Sequence, residues 1–256
     1  MSRVVVDDTG AKVRLPARPA RVVSLVPSLT ESVAVSAPGL LVGATRYCDH
    51  PAGLDVVRVR GTKNPDVDAV IALAPDVVLA AVEENREPDL ARLREAGLAV
   101  YVTDVRTVDG ALTGLARMLA ACGVPRPAWL DDAHRAWAGR APAASRWRAV
   151  VPVWRRPWMA LGRDTFAGDV LARLGVDNVL GGHADRYPRI RPDDLPAHDL
   201  VVLPSEPYAF SATDGPEAFG EVAVALVSGR HLTWYGPSLA EAPSVLLAQL
   251  SAPVVR

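Results

Sequence analysis

The feature that most restricts this chain is a set of short apolar runs with no polar alternation inside them. Val22-Val23-Ser24-Leu25-Val26, Val77-Val78-Leu79-Ala80 and Val100-Tyr101-Val102 lie in the first half, and Leu200-Val201-Val202-Leu203 and Ala223 to Val227 in the second. A strand with no polar face must be covered on both sides, and the usual solution is a parallel sheet with helices on each face. The intervening segments suit that solution. Ser28-Leu29-Thr30-Glu31 has the spacing of a capping box opening a helix that ends by Pro38-Gly39. Leu41 to Ala44 reads as a strand, Thr45 to Asn64 as a polar loop, Asp66 to Ala74 as a helix, and Pro88 to Ala96 as a helix capped by Gly97. A hairpin precedes them all, Val4-Val5-Val6 and Lys12-Val13-Arg14-Leu15 around the turn Asp7-Asp8-Thr9-Gly10.

The pattern changes once along the chain. From Val108 to Trp137 the spacing is helical, with Leu112, Leu115, Leu119, Trp129, Leu130 and Trp137 interrupted by Gly123-Val124-Pro125. After Ala141-Pro142-Ala143 the strand and helix alternation resumes, with Arg148 to Val153, Met159 to Leu161 and a helix from Phe166 to Leu174. The expected organisation is an N-terminal α/β lobe over residues 1–107, a helical connector over 108–145 that includes a bridging helix, and a C-terminal α/β lobe over 146–256. A chain of 256 residues, half of them apolar, holds two lobes of about 110 residues each. Asp68 through Asp76 to Leu79 loosely echoes Asp193 through Asp199 to Leu203, which favours two lobes of similar topology.

Composition excludes several classes. With 28 basic and 29 acidic residues the net charge is −1, so no global field draws the chain to nucleic acid or an anionic membrane. Cys48 and Cys122 are the only cysteines and share no metal-type spacing. The first residues lack the basic and apolar segments of a secretory signal, and no window reaches the roughly 18 apolar residues of a membrane span. The chain as it stands is expected to be cytoplasmic, or extracytoplasmic if a leader precedes it. Phosphate-binding glycine loops, the nucleophile elbow and HExxH are absent, and the five histidines are scattered.

Chemistry is left to the loops that follow strands, where α/β folds place ligands. In the first half these loops offer Tyr47, Lys63, Asn64, Glu84 and Arg86; in the second, Trp154, Arg156, Trp158, Tyr187, Arg230, His231, Trp234 and Tyr235. All six tryptophans follow residue 128, although aromatics are only 5% of the chain, so the second half is where stacking surfaces concentrate. Plainer readings exist. Ser28 and Glu31 serve as a cap, Glu83-Glu84-Asn85-Arg86 as a solvated loop, and Trp129 and Trp137 as helix packing. The runs Trp154 to Trp158 and Arg230 to Tyr235 resist that treatment, because guanidinium groups beside indoles are costly in a core and suit a pocket for a flat or anionic ligand.

The run from Asp8-Thr9-Gly10 through Val13-Arg14-Leu15-Pro16 to Arg21-Val22-Val23-Ser24-Leu25-Val26-Pro27-Ser28-Leu29-Thr30-Glu31 resembles the amino-terminal signature of the iron-siderophore, haem and vitamin B12 binding proteins of ABC importers. Val42-Gly43-Ala44, Tyr47, Asp49, Pro51 and Ala72-Leu73-Ala74-Pro75-Asp76-Val77-Val78 continue the likeness, which is nearest the cobalamin-binding branch. The resemblance implies two Rossmann-like lobes bridged by an α-helix, with a ligand cleft between them. It also implies an aromatic wall to which Tyr47 and Tyr187 belong, and acidic residues, here Asp68 and Asp193, that dock onto a permease. Two tryptophan positions of the B12-binding pattern carry Lys63 and Ala81, and Asp stands for the usual Glu at both docking positions.

Three functions compete at this level. The first is a monomeric, non-catalytic protein that binds a corrinoid, haem or ferric chelate as cargo for ABC-type uptake, with no intrinsic cofactor and no structural metal. His231 is then a candidate axial ligand to the cargo's metal. The second is a cytoplasmic offshoot acting as an enzyme or sensor on a small anionic metabolite, with Glu83 or Glu84 as base and Arg155, Arg156 or Arg230 as anion clamp. The third is a scaffold that binds a protein through Asp68 and Asp193.

Overall fold

The computed structural model describes residues 2–142 and 145–253. Ala143 and Ala144, within the stretch read as a connector, and Met1 and 254–256, at the ends of the two expected lobes, lie outside the described residues.

The chain divides into two compact units. The first comprises Met1–Val105, Asp109–Asp131 and Tyr235–Pro237; the second comprises Arg106–Val108, Asp132–Trp234 and Ser238–Arg256. The first unit opens with the expected hairpin, β1 (Ser2–Val6) antiparallel to β2 (Lys12–Pro16). Then come β3 (Val22–Ser24), α1 (Pro27–Ser36), β4 (Leu41–Ala44), β5 (Val57–Arg58), a small hairpin of β6 (Arg60–Gly61) and β7 (Asn64–Pro65), and α2 (Val67–Ala72). β8 (Val77–Ala81), α3 (Glu87–Glu95), β9 (Val100–Thr103) and nearly all of α4 (Val108–Ala121) follow, whereas α5 (Ala128–Trp137) is divided between the two units at Asp131. The sheet is wholly parallel, in the order β5-β4-β3-β8-β9. Val22, Val23, Val77, Val78 and Leu79 are completely buried, as apolar runs without alternation require.

The second unit repeats the scheme. β10 (Trp147–Val150) leads into a hairpin of β11 (Pro152–Arg155) and β12 (Trp158–Ala160), then α6 (Phe166–Arg173), β13 (Val176–Asn178), β14 (Leu200–Pro204), β15 (Ala223–Val227), α7 (Gly229–Thr233) and α8 (Ala242–Leu250). Its sheet is parallel in the order β13-β10-β14-β15. In each unit the first strand has the next on one side and a later strand on the other, so the strand order reverses beside it.

The internal echo has a physical basis. Asp76, just before β8, accepts from the amides of Ala20 (2.7 Å) and Arg21 (3.0 Å) at the start of β3. Asp199, just before β14, accepts from the Arg148 amide in β10 (2.8 Å). Each aspartate thus fixes the register of the two strands that flank the reversal.

Three sequence expectations are corrected. The capping box is not made, because Pro27 occupies the first helical turn and places the N-cap at Val26, which has no side-chain cap; the Ser28 hydroxyl instead accepts from the Tyr235 amide at 3.3 Å. The helical stretch is shared between the units rather than standing apart. Arg3 donates to the carbonyls of Ala120 (2.8 Å) and Ala121 (2.7 Å) and Arg117 pairs with Asp8 (2.8 Å), which binds α4 to the first hairpin. Arg230–Tyr235, read as a loop, contains α7, whose N-cap Ser228 accepts from the His231 amide. Among the described residues, no helix is long and apolar enough to cross a membrane.

Asp7 closes the first unit. Its buried carboxylate accepts from the amides of Thr9 (3.0 Å), Ala11 (3.0 Å) and Val102 (3.2 Å) and from the Thr9 hydroxyl (2.7 Å), joining the hairpin turn to β9. Asp7→Ala strands three amides, and a loss of roughly 2–4 kcal/mol is expected from the cost of such bonds to a charged group. Urea unfolding measures it; a change under about 0.5 kcal/mol, the size of an ordinary surface substitution, contradicts this role.

Candidate functional site

In the first unit, loops at the carboxyl ends of the parallel strands gather five of the expected residues. The loop after β4 is held by Arg58, which donates to the carbonyls of Thr45 (3.1 Å), Cys48 (2.8 Å) and Leu54 (2.9 Å). It presents Tyr47, 53% exposed, with the Arg46 guanidinium 4.9 Å from its ring centre and donating to its hydroxyl at 2.9 Å. The ring lies so close to Gly61 that a β-carbon there would meet it at 3.2 Å and the Asn64 side-chain oxygen Oδ1 at 2.6 Å. Gly61 is thus the glycine that lets Tyr47 and Asn64 approach the β6–β7 turn.

That turn carries Thr62 and Lys63, and the loop after β8 closes on it. Lys63 donates to the Glu83 carbonyl. Asn85 is buried, its amide nitrogen donating to the carbonyls of Thr62 (2.9 Å) and Leu25 (3.4 Å) while its oxygen accepts from the Ala81 amide (2.9 Å). Read from sequence as part of a solvated loop, Asn85 instead joins the ends of β3 and β8 to the β6–β7 turn; its place four residues after an unbroken apolar strand was the available signal. Burial pushes the Glu84 carboxyl above its ordinary range, against the pull of Lys63 and the Thr62 hydroxyl. Tyr235 is buried beside this group, with its hydroxyl bonded to Thr103 and its acidity suppressed first by burial and then by Glu84. Gly236 follows, where a β-carbon would meet the Ser28 carbonyl at 3.1 Å and the Ser32 hydroxyl at 3.2 Å. Tyr235, expected to line a ligand, therefore anchors its segment. Arg86 stands exposed and paired with Asp89 at 2.9 Å.

In the second unit the loops after β10 and β14 meet beside the strand-order reversal. Trp154 and Tyr208 contact edge to face with ring centres 5.8 Å apart, and Trp154 is 42% exposed. Trp158 is half-buried, stacked on Phe210 (5.8 Å, 5°), edge-on to Phe219 (5.3 Å) and packed against the core formed by Val201, Leu203 and Val224. It serves packing here. Arg155 lies over Trp158 and bonds to both Asp214 and Glu217; against the opposing effect of burial, hydrogen bonds from the Glu217 and Gly215 amides, and then the Arg155 guanidinium, hold the Glu217 carboxyl below its ordinary range. An arginine so committed is not available as an anion clamp. Arg156 is exposed at the hairpin tip, and its carbonyl accepts from the Trp154 indole at 3.2 Å. Tyr187 is half-buried with the Arg186 guanidinium 5.9 Å from its ring centre, and the Pro188 carbonyl next to it accepts from the Ala160 amide at the end of β12 (3.1 Å).

The remaining expected residues form a separate group around α7. His231 has both ring nitrogens engaged, Nδ1 with the Ser228 hydroxyl (2.7 Å) and Nε2 with Glu241 (3.0 Å), so binding a metal would require breaking one of these contacts. Arg230 lies 3.6 Å from the same carboxylate, and the His231 hydrogen bond leads in holding Glu241 below its ordinary range. Trp234 is buried and donates to Glu206 at 3.0 Å. The two proposed docking acids are exposed: Asp68 pairs with Arg92 at 3.0 Å, and Asp193 lies in a 3₁₀ turn, Pro192–Asp194. Among the described residues, no three metal-binding side chains cluster.

No family model matches the chain. The vitamin B12-binding protein of Vibrio cholerae is 25% identical to it over 194 residues, 73% of this chain and 70% of that protein. Among solved structures, the periplasmic haem-binding protein BhuT, in complex with two haems, superposes with a TM-score of 0.72 at 24% identity, covering 90% of this chain and 97% of that one. Helicobacter pylori CeuE with Ni(II) bound gives 0.79 at 13% identity, covering 96% and 88%.

Glu84 supplies a pH test. A carboxyl whose folded pKa is raised binds its proton more tightly in the native state, so its contribution to stability falls as pH rises from the unfolded value, 4.5, through the folded one. Glu84→Gln removes that fall. Urea titrations at pH 5 and pH 7 should show the wild type losing stability relative to the variant on going to pH 7. An unchanged difference between the two proteins contradicts the assignment.

Proposed function

We propose that the chain, similar in sequence to vitamin B12-binding proteins and in fold to haem-binding ones, is a non-catalytic protein that captures a metal-bearing macrocycle or chelate as cargo for ABC-type uptake. The observation that carries this reading is the Trp154–Tyr208 contact at the strand-order reversal of the second sheet, where α/β folds bind ligands. A half-exposed indole held edge-on by a tyrosine is a rigid stacking surface for a flat ligand, and it loses little entropy on binding. Tyr47, braced by Arg46 and Gly61, gives the first unit a similar surface at its own carboxyl-terminal sheet edge.

The commitments of the titratable groups favour binding over catalysis. Glu84 is half-buried beside Thr62, Lys63 and Tyr235, Arg155 is held by two carboxylates, and His231 links α7 to Glu241. The metal belongs to the cargo rather than to the protein. Working as its relatives do, the protein acts outside the cytoplasm and delivers its cargo to a permease. Asp68 and Asp193, both exposed, are the acids offered to basic residues of that partner.

Titration of the purified protein with cyanocobalamin, haemin and a ferric tris-catecholate, followed by tryptophan fluorescence and calorimetry, tests the reading. At least one should quench and bind at tens of micromolar or below. Trp154→Ala should weaken it by about tenfold, the equivalent of about 1.4 kcal/mol of lost stacking. Neither quenching nor heat with any of the three contradicts the proposal.

A further inference from the structure

The β11–β12 hairpin separates two sets of side chains by register. Arg155 faces Trp158 across the ladder, and Trp154 faces Met159. Met159 in turn bridges to Arg189 in antiparallel sense, with the Ile190 amide donating to the Trp158 carbonyl at 3.0 Å. Directly opposed residues in antiparallel pairs share a face, so Trp154, Met159 and Arg189 form one row and Arg155 and Trp158 form a row on the other side.

The two rows differ in charge. Arg155 is neutralised by Asp214 and Glu217 and lies against Trp158, which packs on the core. Arg189 is exposed and, among the described residues, makes no ion pair and no side-chain hydrogen bond; the same holds for Arg156 at the tip beside Trp154. The Trp154 row therefore carries one uncompensated guanidinium group, that of Arg189, and the adjoining turn a second, that of Arg156, next to a 42% exposed indole. Two strand spacings separate the Trp154 and Arg189 backbones, about 9–10 Å, which matches a flat body on the indole with an anionic rim at the guanidinium.

We propose that Arg189, assisted by Arg156, determines ligand specificity by holding carboxylate or other anionic groups on the rim of a planar or chelated ligand whose body stacks on Trp154. This rests on the binding function proposed above and narrows it, selecting anionic cargo such as a haem or an anionic ferric chelate over an uncharged corrinoid. Arginine suits the task because its planar fork grips an oxyanion in bidentate fashion and stays charged at every physiological pH.

The test compares the wild-type protein with Arg189→Gln, Arg189→Lys and, as a control for bulk charge, Arg135→Gln on α5. Each is titrated with haemin and ferric tris-catecholate as anionic probes and with cyanocobalamin as the uncharged one, in low and high salt. The expected result is tighter binding of an anionic probe than of cyanocobalamin, a tenfold or greater loss for that probe in Arg189→Gln, partial recovery in Arg189→Lys and no change in Arg135→Gln. Cyanocobalamin affinity should move less than twofold throughout. If cyanocobalamin binds at least as tightly as both anionic probes, or if Arg189→Gln weakens charged and uncharged probes equally or leaves both unchanged, the anion-holding role is overturned while the binding function stands. If no probe binds the wild type, both fall together.

Discussion

A strand buried on both faces cannot carry charge, and that constraint organises this protein. Val77 to Ala81 and Leu200 to Pro204 are buried throughout, so polar chemistry is displaced to the loops at their ends. Because each sheet is wholly parallel, all its carboxyl ends emerge on one edge, and the loops meet where the strand order reverses. Asp76 and Asp199 secure that reversal by clamping the start of the neighbouring strand. The same device, used once in each half, accounts for the echo between two segments whose other residues differ.

On that frame, local commitments decide which side chains remain for a ligand. Nearly every charged group near the two sheet edges has an internal partner: Arg58 holds three carbonyls, Lys63 a carbonyl, Arg155 two carboxylates, Arg86 one. These bonds stiffen the loops and remove the groups from service. Exposed near the Trp154–Tyr208 pair are Arg189, placed on the face of Trp154 by the two-residue period of the hairpin, and Arg156 in the turn beside it. A preorganised stacking surface bordered by free guanidinium groups suits capture of a flat anion better than acid–base chemistry, which needs a mobile proton at a defined atom.

Much of the fold was legible in the sequence, because burial on both faces writes itself as apolar runs and Asp-Pro-Gly punctuation marks their limits. The first hairpin, the strands at Leu41, Val77, Val100, Leu200 and Ala223, and the helices at Val67, Glu87 and Phe166 follow directly. The start of α1 was misjudged, since Pro27 supplies a helix start that overrides the Ser28 and Glu31 spacing. Side-chain commitments were less legible. Trp158 and Trp234 look like ligand surfaces in one dimension, but Phe210, Phe219 and Glu206, brought in by the fold, occupy them. The sequence marks Tyr187-Pro188-Arg189 as a polar loop but does not single out Arg189 as a binding residue, because its placement comes from a bridge to Met159, thirty positions distant, that no local pattern encodes.

The central claim is that this protein exists to hold a metal-bearing macrocycle or chelate. Native mass spectrometry of the protein isolated from its own host reads this directly. The account predicts an adduct whose mass and isotope pattern identify a metal complex and which dissociates without covalent change to the chain. A stoichiometric adduct free of metal, such as a small organic metabolite, would contradict it.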